Sequence, residues 1–185
     1  LIAKGLFPDR SPAERCYTKN LESPYWEGFK PGTPMVYFDE PHAVGGQMAE
    51  LYNASMLSYI STADVVLNFA GMPDKGKIKL TASVIAMSSN VGPEHEVKGL
   101  VCPEAFRRRM MYWRVMLLPQ YADEHGLLDD AKIAHFSEEE KASLAHLRFV
   151  LHRITHFRSG EVDRGEQYCL AEVIDIIKGK IAQHA

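Results

Sequence analysis

The sequence has 185 residues, room for one domain or one domain with a small appendage, and long enough to bury a core. Hydrophobic residues make up 46% and charged residues 24%, and 21 basic against 24 acidic residues give a net charge of −3; this excludes a polycationic chain and leaves any nucleic-acid contact to a local patch. Three scattered cysteines, Cys16, Cys102 and Cys169, exclude a disulfide framework or a Cys-rich zinc site and favour a reducing compartment. No apolar run approaches the roughly 18 residues of a membrane span. The chain opens on Leu1 with no signal-peptide pattern, so a processed product or a fragment is expected.

Prolines 8, 12, 24, 31 and 34 break up the first 34 residues, which read as the end of a helix followed by a long connection. Within it, Tyr25-Trp26-Glu27-Gly28-Phe29 has the composition of a packed turn. Met35-Val36-Tyr37-Phe38 is apolar on both faces, as in a strand buried within a parallel sheet, and it ends in Asp39-Glu40. Pro41 and Gly45-Gly46 interrupt the chain. Met48, Leu51, Tyr52, Met56 and Tyr59 then recur at helical spacing over 47–60. Residues 65–69 fit a short strand or a loop. Lys75, Lys77 and Lys79 alternate with Gly76, Ile78 and Leu80, so on a hairpin strand all three lysines would point one way. Val84-Ile85-Ala86-Met87 is a second buried-type strand, ending in Ser88-Ser89-Asn90. Ser137-Glu138-Glu139-Glu140 has the pattern of a capping box, and Leu144, Leu147, Leu151 and Ile154 extend it as an amphipathic helix. A last helix covers 170–181, with Val173, Ile174, Ile177 and Ile181 on one stripe. The alternation gives an α/β core with a helical tail.

Ligands of parallel sheets bind beyond the carboxyl ends of strands, where Asp39 and Glu40 fall. A carboxylate there can help hold Mg²⁺, which takes one or two carboxylates plus substrate phosphates, and its neighbour can accept a proton from water. The same pair also fits an ordinary strand end before an acidic helix start. Ser88-Ser89-Asn90 could orient a water or touch a terminal phosphate, and it equally has turn composition. Two buried strands that each end in polar residues put both ends on one sheet edge. Arg107-Arg108-Arg109 could stabilise phosphoryl-transfer charge or form a solvated basic turn. The lysine row suits a phosphate backbone, or protects an edge strand from aggregation. His152 and His156, four apart on a predicted helix, lack a third metal ligand, and Cys102 lacks a base partner.

The order of these segments resembles the viral superfamily 3 RNA helicases, the replication NTPases of picornavirus-like positive-strand RNA viruses. Tyr17-Thr18-Lys19-Asn20, Tyr25-Trp26-Glu27-Gly28-Phe29 and Met35-Val36-Tyr37-Phe38-Asp39-Glu40 resemble the approach to that family's Walker B strand. Asn68-Phe69-Ala70-Gly71-Met72-Pro73-Asp74-Lys75-Gly76-Lys77 is similar to its Met-Ala…Lys-Gly segment. Ser83 to Asn90 is similar to motif C, and Pro103-Glu104-Ala105-Phe106-Arg107-Arg108-Arg109 to its arginine-finger element. Residues 168–184 are similar to its closing helix. The resemblance covers essentially the whole chain, with the run from Trp26 to Arg109 as its specific part. Glu40 departs from the family's usual Asp-Asp, the Lys-Gly step is displaced or duplicated, and the zinc cysteines of some relatives are absent. No Gly-x-x-x-x-Gly-Lys-Ser/Thr phosphate loop occurs, and its expected place is upstream of Leu1.

The resemblance implies an α/β fold: a partial AAA+-like core of the P-loop NTPase type, a three-layer parallel sheet, with a C-terminal helical region. It divides the chain into an ATPase core at 1–118 and a helical region at 119–185. It implies that Asp39 helps hold Mg²⁺ through water, Glu40 polarises the attacking water and Asn90 senses the γ-phosphate of ATP. Arg108 and Arg109 would reach the nucleotide of a neighbouring subunit in a homo-oligomeric ring, a hexamer in the intact protein. Lys75, Lys77 and Lys79 would grip RNA. The intact protein would hydrolyse ATP to remodel RNA during genome replication, beside other viral replication proteins, in the host cytoplasm at membrane-associated complexes. The 185 residues alone would be nearly inactive. The alternatives are a non-catalytic RNA- or protein-binding assembly module and a fragment of a cellular AAA+ ring ATPase.

Overall fold

The computed structural model describes residues 1–41, 47–61, 63–71, 73, 75–90, 103–152 and 165–184. The chain forms two compact units, Phe7–Arg109 and Met110–Ala185 together with Leu1–Leu6. The first short helix, α1 (Ile2–Leu6), thus belongs with the C-terminal unit.

In Phe7–Arg109 the elements follow as α2 (Pro12–Arg15), β1 (Cys16–Thr18), β2 (Met35–Asp39), α3 (Gln47–Tyr59), β3 (Val84–Ser88) and α4 (Pro103–Arg107). Pro12 stands at the start of α2, where its fixed φ suits a helix and its missing N–H costs no bond. The three strands form one parallel sheet in the order β1-β2-β3. Central β2 is apolar on both faces because both are covered, and Val36 and Phe38 are fully buried. Beside it sits an aromatic cluster centred on Trp26. Its indole packs edge-on to Phe29, Phe38 and Tyr59, at 5.8, 6.1 and 5.1 Å between ring centroids, and stacks on Tyr17 at 5.8 Å. Such pairs add about 0.5–1.5 kcal/mol each beyond burial. The packed turn expected around Trp26 is present, closed by the Phe29 N–H on the Trp26 carbonyl and by Gly28 at φ +83°. Tyr59 ties α3 to the sheet by stacking on Phe38.

The lysine row corrects its expectation. Val66 and Lys79 form an isolated antiparallel bridge, with Leu67 N–H on Ile78 O and Leu80 N–H on Val65 O, both 2.8 Å. Lys75, Gly76 and Lys77 lie in the intervening turn, where Gly76 takes φ +75°. A left-handed residue breaks the two-residue alternation, so the three lysines do not share a strand face.

The second unit holds α1, β4 (Tyr112–Leu117), a 3₁₀ turn (Pro119–Tyr121), α5 (Asp130–Ile133), α6 (Glu138–Ala142), β5 (Leu147–His152), β6 (Gln167–Tyr168) and α7 (Leu170–His184). Its sheet is antiparallel, β4-β5-β6. Phe149, Leu170 and Val173 form its core, with Ile2, Trp113 and Tyr168 packed against them. The helix expected to run from 137 through Ile154 stops at Ala142. Leu144 turns the backbone at φ +53°, and Leu147 begins a strand. Phe149 and Val150 are adjacent and both buried, as a strand covered on both faces requires; Ile154 lies outside the described residues. The expected final helix is present as α7. Because β4 pairs with β5 along its whole length, the units divide between Arg109 and Met110, ahead of the boundary at 118 drawn from the sequence.

Candidate functional site

Side chains alternate along a strand, so Tyr37 and Asp39 share one face of β2 while Val36 and Phe38 enter the core on the other. The parallel register sets Asp39 beside Ser88, the last residue of β3. Three side chains converge there. The Ser88 hydroxyl donates to Asp39 Oδ1 at 2.7 Å, and the Tyr37 hydroxyl lies 2.9 Å from the same oxygen and 2.8 Å from Ser88 Oγ. The Ser88 hydroxyl first, and the Tyr37 hydroxyl second, hold the Asp39 carboxyl below its ordinary range. The Ser88 bond pulls the Tyr37 phenol down, but burial and the Asp39 and Glu40 charges outweigh it and raise the phenol above its ordinary value. Asp39 is exposed, and its Oδ2 has no protein partner among the described residues.

The next residues tie the two tips together. Glu40 N–H donates to the Ser88 carbonyl at 3.1 Å, and Glu40 Oε2 accepts the Asn90 N–H at 3.1 Å. To make this bend Glu40 adopts φ +45°, a conformation that costs a side-chain-bearing residue about 1–2 kcal/mol. The Asn90 side chain is exposed and makes no hydrogen bond among the described residues. The acid-bearing and asparagine-bearing tips are therefore neighbours on one solvent-open ledge.

The basic candidates do not bond to this ledge. Lys75 and Lys77 are exposed in their turn, and Lys79 pairs with Asp64 at 2.5 Å. Arg108 is exposed; Arg109 donates to the Ala105 carbonyl at 3.0 Å and lines a shallow pocket with Leu57, Ser58, Asp64 and Val66. Cys16 and Cys169 are free thiols, and Cys102 lies outside the described residues. His152 sits on strand β5 rather than on a helix, and His156 lies outside the described residues. Among the described residues no group of three or more His, Cys, Asp or Glu could cage a metal. An open Asp39 oxygen beside Glu40 fits Mg²⁺ instead, which is held by few protein carboxylates together with phosphates.

Two residues of the neighbourhood escaped the sequence reading. In the sequence Tyr37 reads only as an apolar strand residue, although a phenol two positions before an acid on one strand face is a usable signal. Lys19 is buried at 5% exposure and gave no such signal. It donates to the Asn20 and Ser23 carbonyls at 2.6 and 2.5 Å and lies 5.6 Å from the Trp26 ring centre. Burial lowers its pKa, and its role is to close the turn after β1.

A parallel α/β sheet with an acid pair at one strand tip and Ser-Ser-Asn at the next is a partial core of the P-loop NTPase type. Within that class, the RNA helicase family model matches residues 2–91, which contain all three parallel strands, and the match supports a viral superfamily 3 helicase. The chain is also 35% identical over 107 residues to the replicase polyprotein of Acute bee paralysis virus (strain Rothamsted). That alignment covers 55% of this chain and 5% of the polyprotein, so the chain spans a small part of the length of its curated relative. Among the described residues no helix is long and apolar enough to cross a membrane.

Proposed function

We propose that the chain supplies the water-activating half of an ATP site in a viral RNA helicase that remodels RNA during genome replication. The observation that carries this reading is the joined ledge, Asp39 against Ser88 and Glu40 against Asn90, inside the segment that matches the RNA helicase family. Asp39, with one oxygen open, would help hold Mg²⁺ through water, and the ion when bound would neutralise phosphate charge. Glu40 accepts the proton of the attacking water. The Asn90 amide orients that water and the terminal phosphate. Arg108 and Arg109, both exposed, act on the nucleotide of a neighbouring subunit in a hexameric ring. Lys75 and Lys77 contact RNA phosphates, with Lys79 contributing less because Asp64 already partners it. The site of action is the host cytoplasm, at membrane-associated complexes with other viral replication proteins. The viral replicase relative favours this reading over a cellular ring ATPase.

Glu40→Gln in the full-length protein tests it. ATP turnover should fall by about 10²–10⁴-fold, the range for loss of a general base, with ATP affinity retained. Unchanged turnover would take the ledge out of the chemistry and leave this chain as a non-catalytic RNA- or protein-binding part of the protein.

A further inference from the structure

We propose that Tyr37 and Ser88 are positioning residues: together they hold the Asp39 carboxylate by one oxygen and keep the other free for the metal-bearing nucleotide. This rests on the reading of the ledge as an ATP site. The three groups come from two strands, and only the β2–β3 register brings them together. Tyr37 reaches Asp39 along its own strand, two residues away on the same face, and Ser88 reaches it across the sheet.

Each hydroxyl has a single hydrogen. Both hydroxyls can donate to Asp39 Oδ1, or one can donate to the other while the second donates to Oδ1; the distances of 2.7–2.9 Å allow each. In each arrangement Oδ1 receives the bonds and Oδ2 receives none among the described residues. An exposed carboxylate left alone rotates among several rotamers, whereas two hydroxyls from two strands select one. Water could satisfy an exposed acid equally well, so stability alone does not call for these partners. The core does not need the phenol either, because the buried residues of β2 are Met35, Val36 and Phe38 and Tyr37 is only half-buried.

The test is Mn²⁺ binding to the full-length protein with a non-hydrolysable ATP analogue, followed by electron paramagnetic resonance of free Mn²⁺. Tyr37→Phe and Ser88→Ala should each weaken Mn²⁺ binding about tenfold, as expected for loss of a hydrogen bond to a charged group. Analogue affinity in EDTA should stay at the wild-type value, and Ser88→Thr, which keeps the hydroxyl, should restore Mn²⁺ binding. Asp39→Asn separates the possible failures. If Asp39→Asn loses Mn²⁺ while Tyr37→Phe and Ser88→Ala bind it as wild type does, the positioning role is overturned and the ATP site stands. If Asp39→Asn also binds Mn²⁺ normally, the ATP-site reading falls and the positioning role falls with it.

Discussion

In Phe7–Arg109 three parallel strands run side by side, and the polar side chains at the tips of β2 and β3 bond to one another. In the C-terminal unit the strands are antiparallel, and several acids at helix starts and turns bond to backbone. There Ser137 Oγ accepts the Glu140 N–H at 3.1 Å while Glu140 Oε2 accepts the Ser137 N–H at 2.8 Å. Glu172 accepts the Cys169 N–H at 2.7 Å, Asp129 the Ala131 N–H at 3.0 Å, and Asp123 the N–H groups of His125 and Leu127 at 2.8 Å. These acids satisfy donors that helix starts and turns leave unpaired, which is a structural duty. At the ledge, among the described residues, Asp39, Ser88 and Tyr37 cap no backbone donor through their side chains. Glu40 alone takes both parts, bonding backbone at Asn90 while carrying the second acid. The same residue types thus cap helices and turns in one place and bond to one another across two strand tips in another.

The largest stability effect should come from the buried side of the ledge strand. Phe38→Ala removes a fully buried ring between Trp26 and Tyr59 and should cost about 3–5 kcal/mol. The chain's two tryptophans fall one in each unit, so in a Trp113→Phe background the guanidinium unfolding curve followed by fluorescence reports Trp26 and its surroundings. A loss below about 1 kcal/mol would mean that the core does not depend on this face of β2.

A sharper comparison sets two serines against each other. Ser137→Ala removes a helix cap and should cost about 1 kcal/mol. Ser88→Ala removes a hydroxyl that, among the described residues, bonds side chains, and it should stay within about 0.5 kcal/mol of wild type. Equal losses in denaturant titrations would erase the distinction between the two units and make the ledge another piece of architecture.

Much of this was readable in the residues. Met35 to Phe38 and Val84 to Met87 are apolar on both faces and stop at polar groups, a pattern that gives both the strands and the location of the ledge. The period of Val173, Ile174 and Ile177 marks α7 equally well. The failures share a physical cause, which is that short patterns fit more than one period. Leu147 and Leu151 are four apart, as on a helix, yet they also occupy alternate sites of a strand, and only the adjacent burial of Phe149 and Val150 decides between the two. Cys16-Tyr17-Thr18 is too short to show any period, so nothing in the sequence separates β1 from the connection around it. The lysine alternation was sound arithmetic broken by one left-handed glycine. Tyr37 gains its hydroxyl partners only once the register of β2 on β3 is fixed, and register is tertiary information.

The smallest effect tests whether the C-terminal acids are structural in the sense argued above. The Ser137 N–H first, and its hydroxyl second, hold the Glu140 carboxyl below its ordinary value of 4.5, with His135 adding to the effect. A carboxylate whose pKa is lower folded than unfolded stabilises the fold above its unfolded pKa, and loses that contribution as pH falls through the folded value. Glu140→Gln keeps the shape of the capping box and removes the charge. Wild type should therefore melt slightly above Glu140→Gln at pH 7, the gap should narrow as pH drops below about 4.5, and it should close once Glu140 is protonated in both states. Thermal melts across pH 3–7 measure this. A gap that stays constant to pH 3 would show that the carboxylate charge does nothing for the cap, and that Glu140 serves α6 through geometry alone.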